Sequence, residues 1–243
     1  MYAIISDVHG NLEALSAVLA RIDDLGVENV VCLGDIVGYG ADPDRCTELV
    51  IGRTSAAVRG NHDKAAAGLL TLRYFNEMAR KAIVWTRTTL HQDNREKLKR
   101  LPSGPLLVGS GFLICHGSPC DEEEYILTAT AATRAFSLMA RKYPATGVCF
   151  FGHTHVALAI EDALTVLECE QGIELRGDRS YLINPGSVGQ PRDRVPSASF
   201  GVYDEQSFRY QQYRVAYRIE DAQKKIIVTG LPERLAARIA VGV

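Results

Sequence analysis

The sequence predicts a mixed α/β (α+β) fold that contains two β-sheets. Short apolar runs at 2–6, 29–33 and 55–59 alternate with helical patterns. Strands that alternate with helices indicate parallel βαβ units. After residue 155 the helical patterns give way to short apolar runs between turn residues, which indicates antiparallel strands and hence a second sheet.

Length and composition favour one domain over residues 1–243. The chain has 243 residues, of which 47% are hydrophobic, and this is enough for one well-formed core. Its formal net charge is −2, so no overall positive charge indicates a nucleic-acid partner. No basic segment followed by an apolar stretch opens the chain, and no apolar run reaches the ~20 residues of a membrane span. The six cysteines include no C-x-x-C pair, which favours a reduced, cytoplasmic protein without a disulfide framework.

Helical patterns divide the chain further. Asn11 is a suitable N-cap for the first helix, and Gly26 is a natural residue to follow its end. A helical insertion over about 64–104 could cover a site or serve as a partner surface. Two helices over about 219–241 close the chain, and they could pack on a sheet edge or carry a subunit contact in a homo-oligomer.

Polar residues follow the ends of the predicted strands, and five of the six histidines fall there. Asp7 and His9 are two positions apart, so both side chains point to the same side of an extended segment. The carboxyl ends of parallel strands lie at one edge of a sheet, where functional groups collect. The candidate ligands at these ends are Asp7, His9, Asp35, Asn61, His116, His153 and His155, with His62 beside them.

Imidazole nitrogens together with carboxylate oxygens suit a divalent transition metal. Taken alone, Asp7 could instead cap the next helix and His9 could be an ordinary loop residue. The full set holds too many ligands for one metal and is about right for two metals that share a bridge. Asp35 is the natural bridge, because it is the sole acid in the central cluster.

The blocks Asp7-x-His9, Gly34-Asp35, Gly60-Asn61-His62-Asp63, His116 and Gly152-His153-x-His155 resemble those of the calcineurin-like metallophosphoesterases. The resemblance extends to the loop Asn184-Pro-Gly-Ser187 and implies a four-layer αββα sandwich. Protein phosphatases and dinucleoside tetraphosphatases of this superfamily have Asp-Arg-Gly where this chain has Gly38-Tyr39-Gly40. The chain therefore looks more like the compact bacterial and archaeal phosphodiesterases.

The resemblance also implies roles for individual residues. The first metal would be bound by Asp7, His9, Asp35 and His155, and the second by Asp35, Asn61, His116 and His153. A hydroxide shared by the metals would attack a small phosphoester in line, with His62 assisting catalysis. Manganese is the favoured metal, and Fe, Zn, Ni or Co would also suit these ligands.

Four further residues have two interpretations each. Tyr39 could stack on a base or a phenyl leaving group, or pack over its own loop. Arg192 and Arg194 could reach the substrate phosphate or lie on the surface, and Asp63 could hold the His62 ring or cap a helix. A phosphodiesterase or phosphatase is the leading functional hypothesis. A catalytically silent metal-binding scaffold or regulatory protein, and a nuclease, are the alternatives.

Overall fold

The computed structural model describes residues 1–243 and contains two six-stranded mixed sheets. The strands are β1 (Tyr2–Ile5), β2 (Asn29–Cys32), β3 (Thr54–Ala57), β4 (Leu106–Val108), β5 (Phe112–Ile114), β6 (Val148–Phe150), β7 (Leu158–Glu161), β8 (Val166–Leu167), β9 (Ile173–Glu174), β10 (Tyr181–Asn184), β11 (Ala198–Asp204) and β12 (Arg209–Val215). The first sheet has the order β3-β2-β1-β11-β12-β9, and the second has the order β4-β5-β6-β10-β7-β8.

Helices cover the outer faces of these sheets. They are α1 (Leu12–Asp24), α2 (Pro43–Arg53), α3 (Asn61–Ala66), α4 (Glu77–Thr89), α5 (Gln92–Arg100), α6 (Ala129–Lys142), α7 (Ile219–Val228) and α8 (Glu233–Val241). The Asn11 side chain accepts a hydrogen bond from the backbone N–H of Ala14, and Gly26 follows the end of α1 with φ of 66°. Both ends of α1 therefore lie where the sequence predicts them.

Alternation along the strands separates three apolar layers. Ile4 of β1 packs between the two sheets, whereas its neighbours Ala3 and Ile5 pack against the helices of the first sheet. In the second sheet, Phe150 faces the first sheet and Cys149 faces α6. Because successive side chains of a strand point to opposite faces, each sheet contributes to two layers. The predicted αββα sandwich is confirmed.

The strands after residue 155 do not form a sheet of their own, and that part of the prediction is wrong. β11 pairs antiparallel with β1, and β12 and β9 extend the same sheet. β10 instead pairs parallel with β6 and antiparallel with β7 in the second sheet. Pairing between distant segments decides the sheet to which a strand belongs, and local apolar patterns do not encode it.

The helical insertion also differs in detail. Its first helix, α3, begins at Asn61, ahead of the predicted start near residue 64, and ends at Ala66, and a 3₁₀ turn follows at Leu72–Tyr74. All six cysteines are free thiols. None of the helices combines the length and the apolar character that crossing a membrane requires.

Candidate metal centre

The predicted ligands meet at the carboxyl ends of strands from both sheets. Two groups of side chains are close enough to hold a cation each, with the ligand atoms of each group within 4.8 Å of one another. The first group is Asp7, His9, Asp35 and His155. The second group is Asp35, His116 and His153. The Oδ1 atom of Asn61 lies 3.2 Å from Nε2 of His116 and so joins the second group.

In the first group, the rings of His9 and His155 direct their Nε2 atoms toward each other. Nδ1 of His9 lies 3.2 Å from the carbonyl oxygen of Val37, and Nδ1 of His155 lies 2.6 Å from that of Gln190. A carbonyl only accepts, so both Nδ1 atoms donate and both Nε2 atoms carry lone pairs. These Nε2 atoms are 3.1 Å apart, and burial holds the pKa of each histidine well below its ordinary value. Two neutral acceptors at this separation suit a cation that both can coordinate.

The second group is arranged in the same way around His116. Its Nδ1 atom donates to the carbonyl oxygen of Leu33 at 2.9 Å, and its Nε2 atom lies 3.4 Å from Oδ2 of Asp35. Burial alone lowers the pKa of His116, but the Asp35 carboxylate outweighs this effect and raises the pKa to about 9. Nε2 of His153 is buried without a hydrogen-bond partner. An unpartnered buried nitrogen is costly, and a metal ligand is one role that accounts for it.

Asp35 belongs to both groups and is 1% exposed. Burial raises the pKa of its carboxyl group, but the neighbouring histidines His116 and His62 hold it well below the ordinary value. Its Oδ1 atom also accepts the backbone N–H of His62 at 2.8 Å. For Asp7, by contrast, burial is the largest influence and raises the pKa to about 6. Such buried carboxylates are expensive unless they pair or bind a metal.

Backbone conformation marks the same residues. Most of the non-glycine residues with positive φ lie in or beside the two groups, namely Asp7, His9, Asp35, Tyr39, His153 and His155. A non-glycine residue in this region costs on the order of 1–3 kcal/mol, and such strain clusters at functional sites. The turns that aim these side chains are therefore maintained by the surrounding structure.

The loop Asn184-Pro-Gly-Ser187 supplies part of that support. Nδ2 of Asn184 donates to the carbonyl oxygen of Gly152 at 2.8 Å and to Oγ1 of Thr154 at 3.0 Å. Oγ of Ser187 donates to the carbonyl oxygen of Asp7 at 2.8 Å. The loop thus ties the turn that carries His153 and His155 to the turn that carries Asp7. Taken together, the donors, their orienting hydrogen bonds and the unpartnered nitrogen fit a pair of divalent cations.

Comparison with known proteins agrees with this geometry. A family model described as the calcineurin-like phosphoesterase superfamily domain matches residues 1–207. The chain belongs to the calcineurin-like phosphoesterase superfamily. It is 39% identical over 249 residues to an uncharacterised protein of Methanocaldococcus jannaschii. The alignment covers 100% of this chain and 98% of the relative.

Solved structures extend the comparison. A metallophosphoesterase from Sphaerobacter thermophilus is 40% identical, with a TM-score of 0.87 over 100% of this chain and 98% of its own. A hypothetical protein from Pyrococcus horikoshii is 19% identical, with a TM-score of 0.80 over 100% of this chain and 99% of its own. At 19% identity the second similarity concerns the fold alone. The predicted resemblance to the metallophosphoesterases is confirmed.

His62 of this phosphoesterase lies at the start of α3 and is 4% exposed. Burial lowers its pKa to about 4, and its Nδ1 atom is buried without a partner. Asp63 does not hold this ring, so that interpretation is wrong. The Asp63 carboxylate accepts the backbone N–H groups of Gly60 at 3.0 Å and Val37 at 3.1 Å. It therefore caps α3 and fastens the loop after Asp35.

The two arginines have different environments. The Arg192 guanidinium lies 5.9 Å from the centre of the Tyr39 ring, and its Nη2 atom donates to Oε1 of Gln190 at 3.0 Å. Arg192 is thus beside the centre. Arg194 is exposed, and its backbone N–H donates to the carbonyl oxygen of Gly242, so its backbone is fastened to the C-terminal end of the chain. A phosphate-binding role for Arg194 has no support in the structure.

Tyr39 is 6% exposed, and its ring packs 4.5 Å from that of His62 and 4.7 Å from that of His9. The ring therefore packs against the site, and part of it borders a cleft of about 210 Å³. The residues that line this cleft are Tyr39, Asn61, His62, Tyr74, Phe75, Asn76, Ala79, Glu123, Tyr125 and His153.

Several of these lining residues were not predicted from the sequence. Tyr74, Phe75 and Asn76 belong to the helical insertion, which therefore covers part of the site. Glu123 and Tyr125 lie on the loop that follows His116. The only sequence signal was an aromatic pair just before the N-cap Asn76, and this pattern does not distinguish a cleft wall from ordinary packing.

Proposed function

We propose that this phosphoesterase hydrolyses a small phosphoester with two divalent transition metals. The observation that carries the proposal is the pair of donor groups that share Asp35. Their atoms are imidazole nitrogens and carboxylate or amide oxygens, without cysteine, which favours manganese, with Fe, Zn, Ni or Co as other candidates. Asp7, His9, Asp35 and His155 would hold one cation. Asp35, Asn61, His116 and His153 would hold the other.

When bound, the two cations would lower the pKa of a coordinated water and orient the phosphate oxygens for in-line displacement. The protein keeps the ligand nitrogens aimed by donating Nδ1–H of His9, His116 and His155 to backbone carbonyls. Asp7 and Asp35 neutralise only part of the charge of two divalent cations, so a phosphate anion would be attracted locally although the whole chain is slightly acidic.

His62 lines the cleft beside the second group and is the candidate group that assists departure of the leaving oxygen. Because its lowered pKa of about 4 leaves the imidazole neutral near pH 7, it would act by donating an N–H hydrogen bond to the negative charge that develops on that oxygen. Arg192 stands beside Tyr39 and could contact the phosphate from the side of the first group. Neither step requires a covalent bond between enzyme and phosphate.

Hydrolysis of bis-p-nitrophenyl phosphate and p-nitrophenyl phosphate with added Mn²⁺ tests the proposal. We expect turnover that chelation abolishes and Mn²⁺ restores, and the ratio of the two rates distinguishes a phosphodiesterase from a phosphatase. His62→Ala should keep the metals and lose about 100- to 10,000-fold in rate. Two bound metals without turnover of either ester would favour the scaffold alternative. The nuclease alternative requires salt-sensitive DNA binding.

A further inference from the structure

The cleft beside His62 has aromatic walls that come from outside the metal-binding motifs. The Phe75 ring meets the His62 ring edge-on, with 5.3 Å between the ring centres. Tyr125 stacks on His153 with 3.8 Å between the ring centres and 28° between the ring planes. Tyr74 also lines the cleft and is 78% exposed. The part of a metal-bound ester that extends into this cleft would therefore contact several aromatic rings.

Tyr125 combines an exposed ring with a loop that is fastened to the rest of the protein. It is 46% exposed although one face of its ring is against His153, so much of the remaining ring surface is free. The loop that carries it is fastened to α3, because Nζ of Lys64 pairs with Glu122 at 2.7 Å and with Glu123 at 2.6 Å. Aromatic rings bind planar groups by offset stacking or edge-to-face contact.

Charge in the cleft points to the same class of ligand. Its lining contains no lysine or arginine, and its one carboxylate belongs to Glu123. The nearby ammonium group of Lys64 is already paired with Glu122 and Glu123. A leaving group that carries a further phosphate or carboxylate would find no free cation among the lining residues, whereas an uncharged ring would find aromatic surfaces.

We propose that this cleft receives the leaving group of the substrate. Phe75 and Tyr125 would contact this group and favour an uncharged planar aromatic ring. A nucleoside base and a simple aryl group share this chemistry. The inference rests on the proposed phosphoester hydrolysis, and it adds which kind of ester is hydrolysed. Stacking on an aromatic side chain should tighten binding by about tenfold.

Two phosphonates that cannot be hydrolysed separate the ring from the metal-binding group. We expect the Mn²⁺-loaded protein to bind phenylphosphonate about tenfold more tightly than methylphosphonate in calorimetric titration. Tyr125→Leu and Phe75→Leu should each lower this ratio, and Tyr125→Phe should retain it. Phe208→Leu is the matched control, because Phe208 lies between β11 and β12 and is 42% exposed. The ratio is an internal reference, since any change at the metals affects both ligands.

Two further titrations test how the charge of the ligand affects binding and which kind of ring the cleft prefers. A para-carboxylate on phenylphosphonate should weaken binding, and Glu123→Gln should reduce that effect. The affinity of an adenosine 5′-phosphonate is compared with that of the same ribose phosphonate without the base. If this affinity ratio exceeds the ratio of phenylphosphonate to methylphosphonate, the preferred ring is a nucleoside base. If it is smaller, the preferred ring is a simple aryl group.

A wild-type ratio near one, or a ratio unchanged in both leucine variants at Tyr125 and Phe75, would overturn the aromatic preference. Continued Mn²⁺-dependent ester hydrolysis in that case would leave the proposed function standing. Failure of both phosphonates to bind, together with no hydrolysis, would instead count against the proposed function itself.

Discussion

Replacing Gly38 by alanine should displace the His62 ring while both groups of metal ligands keep their positions. A Cβ atom at Gly38 would lie 2.4 Å from Nδ1 of His62, about 1 Å inside ordinary van der Waals contact. The ring would have to move by about that distance, and a misplacement of about 1 Å can cost about 100-fold in rate. Gly38 also has φ of +105°, so alanine should lower the free energy of unfolding by about 1–3 kcal/mol.

Gly68→Ala is the matched control. Gly68 has φ of +82°, and nothing lies within 4 Å of a Cβ atom placed on it, so alanine there introduces backbone strain without moving a ligand. The measurements are kcat for bis-p-nitrophenyl phosphate at saturating Mn²⁺, metal content by mass spectrometry and urea unfolding. We expect both variants to lose stability and only Gly38→Ala to lose about 100-fold in kcat. Wild-type kcat in Gly38→Ala, or equal losses in both variants, would refute the placement of His62.

Two further predictions concern His116 and Asn184. Burial lowers the pKa of His116 but Asp35 raises it to about 9, so a proton must leave Nε2 before a metal binds. Metal affinity should therefore rise by up to about tenfold per pH unit until pH approaches 9, and calorimetric titrations that show no pH dependence would contradict this. Asn184→Asp replaces the amide that donates to Gly152 and Thr154 with an acceptor, and should cost about 1–3 kcal/mol of unfolding free energy and weaken metal binding. Wild-type values in urea unfolding and metal titration would show that these two hydrogen bonds of Asn184 are dispensable.

The convergence of the candidate metal ligands could be predicted because these residues are tied to local features of the chain. Asp7 follows the apolar run of β1 almost directly, and His153 follows that of β6. Parallel strands bring their carboxyl ends to one edge, so the spacing along the chain was enough to predict convergence. Burial on both faces made the strands visible as nearly continuous apolar runs, and this is why the two-sheet architecture was also predictable.

Other features depend on contacts between distant segments. The Asp63 carboxylate had two plausible local roles, and the N–H of Val37, which reaches it from 26 positions away, explains why it caps α3 instead of holding His62. Phe75 and Tyr125 belong to no motif, and only the tertiary structure brings them to the same cleft. The strands after residue 155 carry ordinary apolar alternation, which does not specify the sheet that each one joins.

The number of metals bound by the wild type and by Asp35→Asn tests the central claim most directly. Asp35 is the one carboxylate common to both donor groups, so its loss should weaken both sites together. We predict about two equivalents of Mn²⁺ bound to the wild type, well below one bound to Asp35→Asn at the same free metal concentration, and no measurable turnover in the variant. Two retained equivalents with normal turnover in Asp35→Asn would contradict the shared two-metal centre.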